Sequence, residues 1–235
     1  VGARARVLCE EIGPRWSSSP AEAKAIQYIQ TQMTADGLDR VDVEPFTLRT
    51  WSHGKVEALL ATGEAIDLVP FNRCPSCSIT AQLIDVGFAT PHALSAVAGQ
   101  ITGRIALMNL GHEPFTAPIP HTDRLSQIAT MGARAVVCVD SKSGRRAEYH
   151  NAGDWRDPET AEPPLPVATT SREHGDRLRR IAAHGGSLTV TVESVFADAS
   201  SANVVGQISG SLWPGEHLVL GGHHDTVLNA PGGND

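Results

Sequence analysis

The sequence has 235 residues, 41% of them apolar and 19% charged, with a formal net charge of −7. That length allows one large domain or two modest ones, and the composition supports a sizeable core rather than disorder. Lys and Arg are scattered without the basic stripe that nucleic acid demands, and no apolar run approaches the ~20 residues of a membrane-spanning helix.

The chain opens on Val1 rather than Met, so the lack of a leader segment decides nothing. Leu8 to Arg15 reads as the end of a short helical stretch, closed by the Gly13-Pro14 turn. Ser19-Pro20-Ala21-Glu22 joins a capping box to a proline at the first helical position. The helix it predicts carries Ile26, Ile29 and Met33 at helical spacing, and Gly37 stops it. Val41-Asp42-Val43-Glu44 alternates with period two and predicts a half-buried strand.

From about Gly54 glycine and proline become frequent and strand-like runs dominate: Val56 to Leu60, Ile79 to Val86, Ile105 to Leu110. One helix stands out, from about Asp123 to Met131, and Ala135 to Val139 follows as a buried strand. Residues 141–164 are polar and read as a long surface loop. Arg172 to His184 predicts a second helix, closed by Gly185-Gly186, and Leu188 to Val192 alternates as a strand. Four cysteines (Cys9, Cys74, Cys77, Cys138) are too few for a disulfide scaffold. Cys74-Pro75-Ser76-Cys77 is a lone C-x-x-C, read as a plain loop or a local disulfide, with a redox or metal role as the alternative.

After Asp198 the α/β texture returns. Asn203 to Ile208 reads as a strand, and His217-Leu218-Val219-Leu220 as a buried strand running into Gly221-Gly222-His223-His224-Asp225. A polar cluster at the carboxyl end of a strand is the usual place for a site in an α/β sheet. In extended chain His223 and Asp225 lie on the same side, which suits a metal-bound imidazole backed by a carboxylate. Pro231-Gly232-Gly233 predicts a tight turn returning Asp235 to that site. His121-Thr122-Asp123 has the same spacing but precedes an amphipathic helix, so Thr122 or Asp123 reads there as a helix cap. His224 faces away from His223 and reads as a packing or rim residue.

The block from His223 to Asp235 resembles the di-zinc aminopeptidase and glutamate carboxypeptidase-like peptidases. They carry a His-x-Asp at a strand end and a second Asp twelve residues after the His, a spacing that His223 and Asp235 match. Leu8 to Pro45, with Ile12-Gly13-Pro14-Arg15, Ser19-Pro20 and Ala25-Ile26, is similar to the family's amino-terminal helix and strand. Residues 54–196, notably Gly132-Ala133-Arg134-Ala135-Val136, resemble its protease-associated insert.

The resemblance implies an α/β fold: the amino-terminal part of a zinc-peptidase α/β/α sandwich, interrupted by a β-rich α+β protease-associated domain. Its divisions are residues 1–53, 54–196 and 197–235. By the same resemblance His223 binds one of two zincs, Asp225 orients that imidazole in the catalytic site, and Asp235 bridges both metals. A Glu-Glu pair, a further acidic ligand and a final His belong to the family's pattern and do not follow within these residues. The expectation is therefore a piece cut inside the metal site and inactive alone as a peptidase. The substrate implied is a peptide or dipeptide, a homodimer is compatible with the insert, and an exported location is favoured over a cytoplasmic one. Two further readings stay open: a protease-associated binding module without catalysis, and a scaffold that has kept the fold without the metal.

Overall fold

A computed structural model describes residues 2–153, 161–213 and 215–232. The chain divides into two compact units, residues 1–50 with 197–235, and residues 51–196.

The first unit begins with a short helix α1 (Gly2–Arg6) and a π-helical turn, Val7–Ile12, ended by Gly13 at φ 77°. Helix α2 (Pro20–Ala35) starts where the capping signal predicts, with the Ser19 hydroxyl accepting the Glu22 N–H at 3.1 Å. The reciprocal half of the box is displaced by one residue. The Glu22 carboxylate takes the N–H of Ser18, not that of Ser19, and also accepts the Ser201 hydroxyl at 2.7 Å. Glu22 is thereby almost wholly buried, which a carboxylate tolerates only with such partners. Gly37, at φ 78°, lets the chain leave the helix through a conformation that a side chain would strain. Strand β1 (Arg40–Leu60) follows and runs from this unit into the next, covering in one element the two strands expected at 41–44 and 56–60.

The second unit contains strands β2 (Val69–Pro70), β3 (Cys77–Asp85), β4 (Ile105–Asn109), β5 (Ala135–Val139) and β6 (Val167–Thr170), and the start of β7 (Ser187–Gln207). Its helices are α3 (Pro91–Ile101), α4 (His121–Thr130) and α5 (Arg172–Ala183). The strand order is β1-β7-β3-β4-β5-β6-β2. Strands β3 to β6 are parallel, while β7 pairs antiparallel with β3 and β2 antiparallel with β6. The short apolar runs of β4, β5 and β6 are buried almost throughout, as parallel strands covered on both faces require. Phe71, Ile101, Met108, Leu125, Ile128 and Val136 lie in the core they share with the helices.

Several expectations are corrected here. Helix α3 corresponds to no expected element, although Thr90-Pro91 carries its start signal and the Thr90 hydroxyl accepts the Ala93 N–H at 3.4 Å. Helix α4 begins at His121 after Pro120, so Thr122 and Asp123 lie inside its first turn and neither caps it. The runs at 188–192 and 203–208 are parts of the single strand β7, because alternation lapses in between without the chain turning. The loop expected at 141–164 includes the buried Ala152 and Ala161; its residues 154–160 lie outside those described.

The largest difference is at His217–Leu220, expected as a buried strand. These residues belong to no strand, and Leu218, Val219 and Leu220 are 88%, 84% and 88% exposed. An apolar run becomes a buried strand only when neighbours pair with its backbone and cover its faces, and among the described residues none does so.

One close approach is testable. A Cβ on Gly175 of α5 would lie 2.2 Å from Val139 Cγ1 of β5, so helix and strand pack at a separation that only glycine permits. Gly175→Ala is expected to destabilise the protein by about 1–3 kcal/mol through overpacking, read as a lower urea midpoint with an unchanged slope.

Candidate metal centre

His223 and Asp225 lie in an irregular segment, yet their geometry is well defined. The His223 Nδ1 lies 3.0 Å from Asp225 Oδ1 and 2.9 Å from the Asp225 carbonyl oxygen. Both oxygens accept, so Nδ1 carries a ring proton, and in the neutral ring the lone pair is then on Nε2. This is the tautomer a metal-binding histidine needs, with the carboxylate raising the basicity of the ligating nitrogen. The imidazole is 56% exposed and the carboxylate 33%.

The carboxylate is itself held from the far end of the sequence. The Ser17 hydroxyl donates to Asp225 Oδ2 at 2.6 Å. Beside it, Arg15 N–H donates to the Thr226 hydroxyl at 2.7 Å, and Thr226 N–H returns a bond to the Arg15 carbonyl at 2.9 Å. The Arg15 side chain, 5% exposed, then gathers backbone carbonyls. Its Nε donates to His224 O at 2.8 Å, and its Nη1 lies 2.6 Å from Leu8 O, 2.8 Å from Gly13 O and 2.8 Å from Pro231 O. One guanidinium thus binds the chain on both sides of Asp225 to the Gly13-Pro14-Arg15 turn.

Gly232 completes the packing at φ 73°; a Cβ there would come within 2.8 Å of Thr226 Cγ2 and 2.9 Å of Arg15 Nη2. Asp235, expected as the bridging ligand, lies outside the described residues. His224 is half-buried, with Nε2 lacking a hydrogen bond among the described residues and standing 3.9 Å from Glu22 Oε1.

The donor set fits a metal to this extent: one imidazole in the correct tautomer, backed by a carboxylate that is itself fixed. Among the described residues no group of three or more His, Cys, Asp or Glu side chains converges on one point. The C-x-x-C stretch supplies no such group either. Cys74 and Cys77 are free thiols, and burial pushes Cys74 up to about 12, so it is no ready thiolate ligand.

Sequence reasoning missed Ser17, Thr226 and the clamping role of Arg15. Arg15 ends the Ile12-Gly13-Pro14-Arg15 stretch, but nothing in its local pattern signals partners more than two hundred positions away. Arg15→Met is expected to cost on the order of 3 kcal/mol, because several carbonyls lose a charged donor together. Arg15→Lys should recover less than half of that, since one ammonium cannot reproduce the fork. Urea unfolding of the three chains measures both.

No protein-family model matches the chain. Carboxypeptidase Q of Homo sapiens is a homologue, 25% identical over 239 residues that cover 95% of this chain and 48% of that protein. The chain therefore spans about half the length of the curated relatives it matches. Among solved structures, an aminopeptidase from Aneurinibacillus sp. strain AM-1 superposes with a TM-score of 0.70 at 24% identity, over 97% of this chain and 53% of its own. A zinc aminopeptidase from Bacillus subtilis gives a TM-score of 0.67 at 22% identity, over 87% of this chain and 45% of its own. The mixed α/β fold is thus shared with aminopeptidases.

Proposed function

We propose, starting from this chain's kinship with the glutamate carboxypeptidase-like zinc peptidases, that it contributes the first metal ligands of a zinc-dependent exopeptidase acting on peptides or dipeptides. The observation that carries the reading is the His223–Asp225 pair, with Nδ1 engaged by Asp225 so that Nε2 is the ligating nitrogen of the neutral ring. His223 would hold one zinc through Nε2, Asp235 would bridge two, and Asp225 would orient the imidazole without binding metal itself. Zinc bound there supplies Lewis acidity and lowers the pKa of a coordinated water from 15.7 toward ~7. The chain's own share is to present the ligating nitrogen, keep its proton on the opposite side, and hold the loop against the Gly13-Pro14-Arg15 turn.

Two metal ligands fall short of the three protein ligands that a single catalytic zinc usually has. We therefore infer that these 235 residues do not hydrolyse peptides unaided. Purified chain supplied with Zn²⁺ should show no turnover of dipeptides or aminoacyl-anilides, and His223→Ala should abolish what zinc binding there is. Tight uptake of two zincs with turnover by the unaltered chain overturns this inference.

Residues 54–196 are read as a protease-associated insert that restricts access to the site and can take part in a homodimer. Export to a periplasmic or extracellular space belongs to the same reading. Among the described residues no helix is long and apolar enough to cross a membrane. A second reading, a binding module without catalysis, draws support from the core that residues 51–196 enclose by themselves. The two readings separate on chelation: peptide binding by a module survives removal of zinc, whereas binding through the metal does not.

A further inference from the structure

We propose that Ser17 is a positioning residue for the metal site, orienting the Asp225 carboxylate and through it the His223 imidazole. The inference rests on the reading of His223 as a zinc ligand and adds to it a residue far away in sequence.

Two hydrogen bonds meet on one carboxylate. The Ser17 hydroxyl donates to Asp225 Oδ2 at 2.6 Å, and the opposite oxygen, Oδ1, accepts from His223 Nδ1 at 3.0 Å. A carboxylate held at only one oxygen can turn about its own bond. One held at both is fixed in plane and angle, and the imidazole it supports is fixed with it. The donor is short and its acceptor is ionised, which is the stronger class of hydrogen bond.

Ser17 is in turn fixed by the start of helix α2. Ser18 takes a positive φ of 65°, uncommon for a residue with a side chain, and its N–H is held by the buried Glu22 carboxylate. The Ser17 carbonyl accepts the Ser18 hydroxyl at 2.5 Å and the Thr50 hydroxyl at 3.4 Å. The displaced capping box therefore has a consequence beyond the helix. By pulling on Ser18 rather than Ser19, Glu22 sets the turn that aims Ser17 at Asp225.

A purely structural serine would be indifferent to what lies beyond Asp225, whereas a positioning serine is not, and this separates the two. The test uses the 235-residue chain without metal at about pH 8, where an ordinary histidine is neutral, and reads the ring ¹⁵N shifts of His223, assigned by its loss in His223→Ala. Ser17→Ala should move these shifts toward those of an unrestrained imidazole, while Ser17→Thr, which keeps the hydroxyl, should hold the native values. Titration with Zn²⁺ alone should then show about tenfold weaker binding by Ser17→Ala, at the lower end of what such supporting residues contribute.

A folded Ser17→Ala chain with native His223 shifts overturns the proposal. So does a Ser17→Thr chain with altered shifts, which also decides the matter if the alanine variant fails to fold. Zinc binding that His223→Ala leaves unchanged counts instead against the metal reading, and the metal-free shifts still report on Ser17.

Discussion

The buried guanidinium of Arg15 is the interaction on which the arrangement around His223 depends. A charged group at 5% exposure needs compensating hydrogen bonds, and here the acceptors are main-chain carbonyls from two distant stretches. Leu8 and Gly13 belong to the amino-terminal turn, His224 and Pro231 to the segment carrying the candidate ligands. That segment has no regular secondary structure of its own, so its carbonyls need partners from elsewhere. The arginine supplies them, and the reciprocal bonds between Arg15 and Thr226 set the register.

The second unit solves a similar problem with a second arginine. Arg124, on α4 and 3% exposed, donates to the carbonyls of Phe88, Asn109, Leu110 and Gly111 at 2.9 to 3.0 Å. Burial pulls its pKa down from the usual arginine value, yet a guanidinium starts so high that it remains charged. Phe88 follows β3, while Asn109, Leu110 and Gly111 form the exit of β4, so one side chain binds together two loops at the same end of a parallel sheet. In both units irregular backbone at a strand or helix exit is stabilised by a planar cation that can reach several carbonyls at once.

Local helix chemistry and site chemistry are also joined. Glu22 is a capping-box residue by sequence, but its carboxylate reaches Ser18 and Ser201 and stands near His224. The energetic reason is burial. An enclosed carboxylate needs donors, and through those it finds the helix start, the turn before it and the late part of β7 become one network. A helix-capping motif thereby bears on the orientation of Asp225, two hundred residues further along the chain.

What the sequence by itself determined is whatever a residue decides with its near neighbours. Helix α2 and its stop at Gly37, the apolar runs of β4 and β5, helix α5 and the His-x-Asp spacing all follow from capping, period and backbone freedom. Only the tertiary structure decided the rest. Leu218-Val219-Leu220 has the composition of a buried strand and lies exposed, because strand formation requires a partner that local sequence cannot supply. The break read between residues 192 and 203 vanishes into one strand because β7 is held by its neighbours rather than by its own alternation. His223 and Asp225 were legible as a pair, being two residues apart, whereas Ser17 and Arg15 were not. Their partners are chosen by distance in space, and a hydrogen bond across more than two hundred residues leaves no local pattern to read.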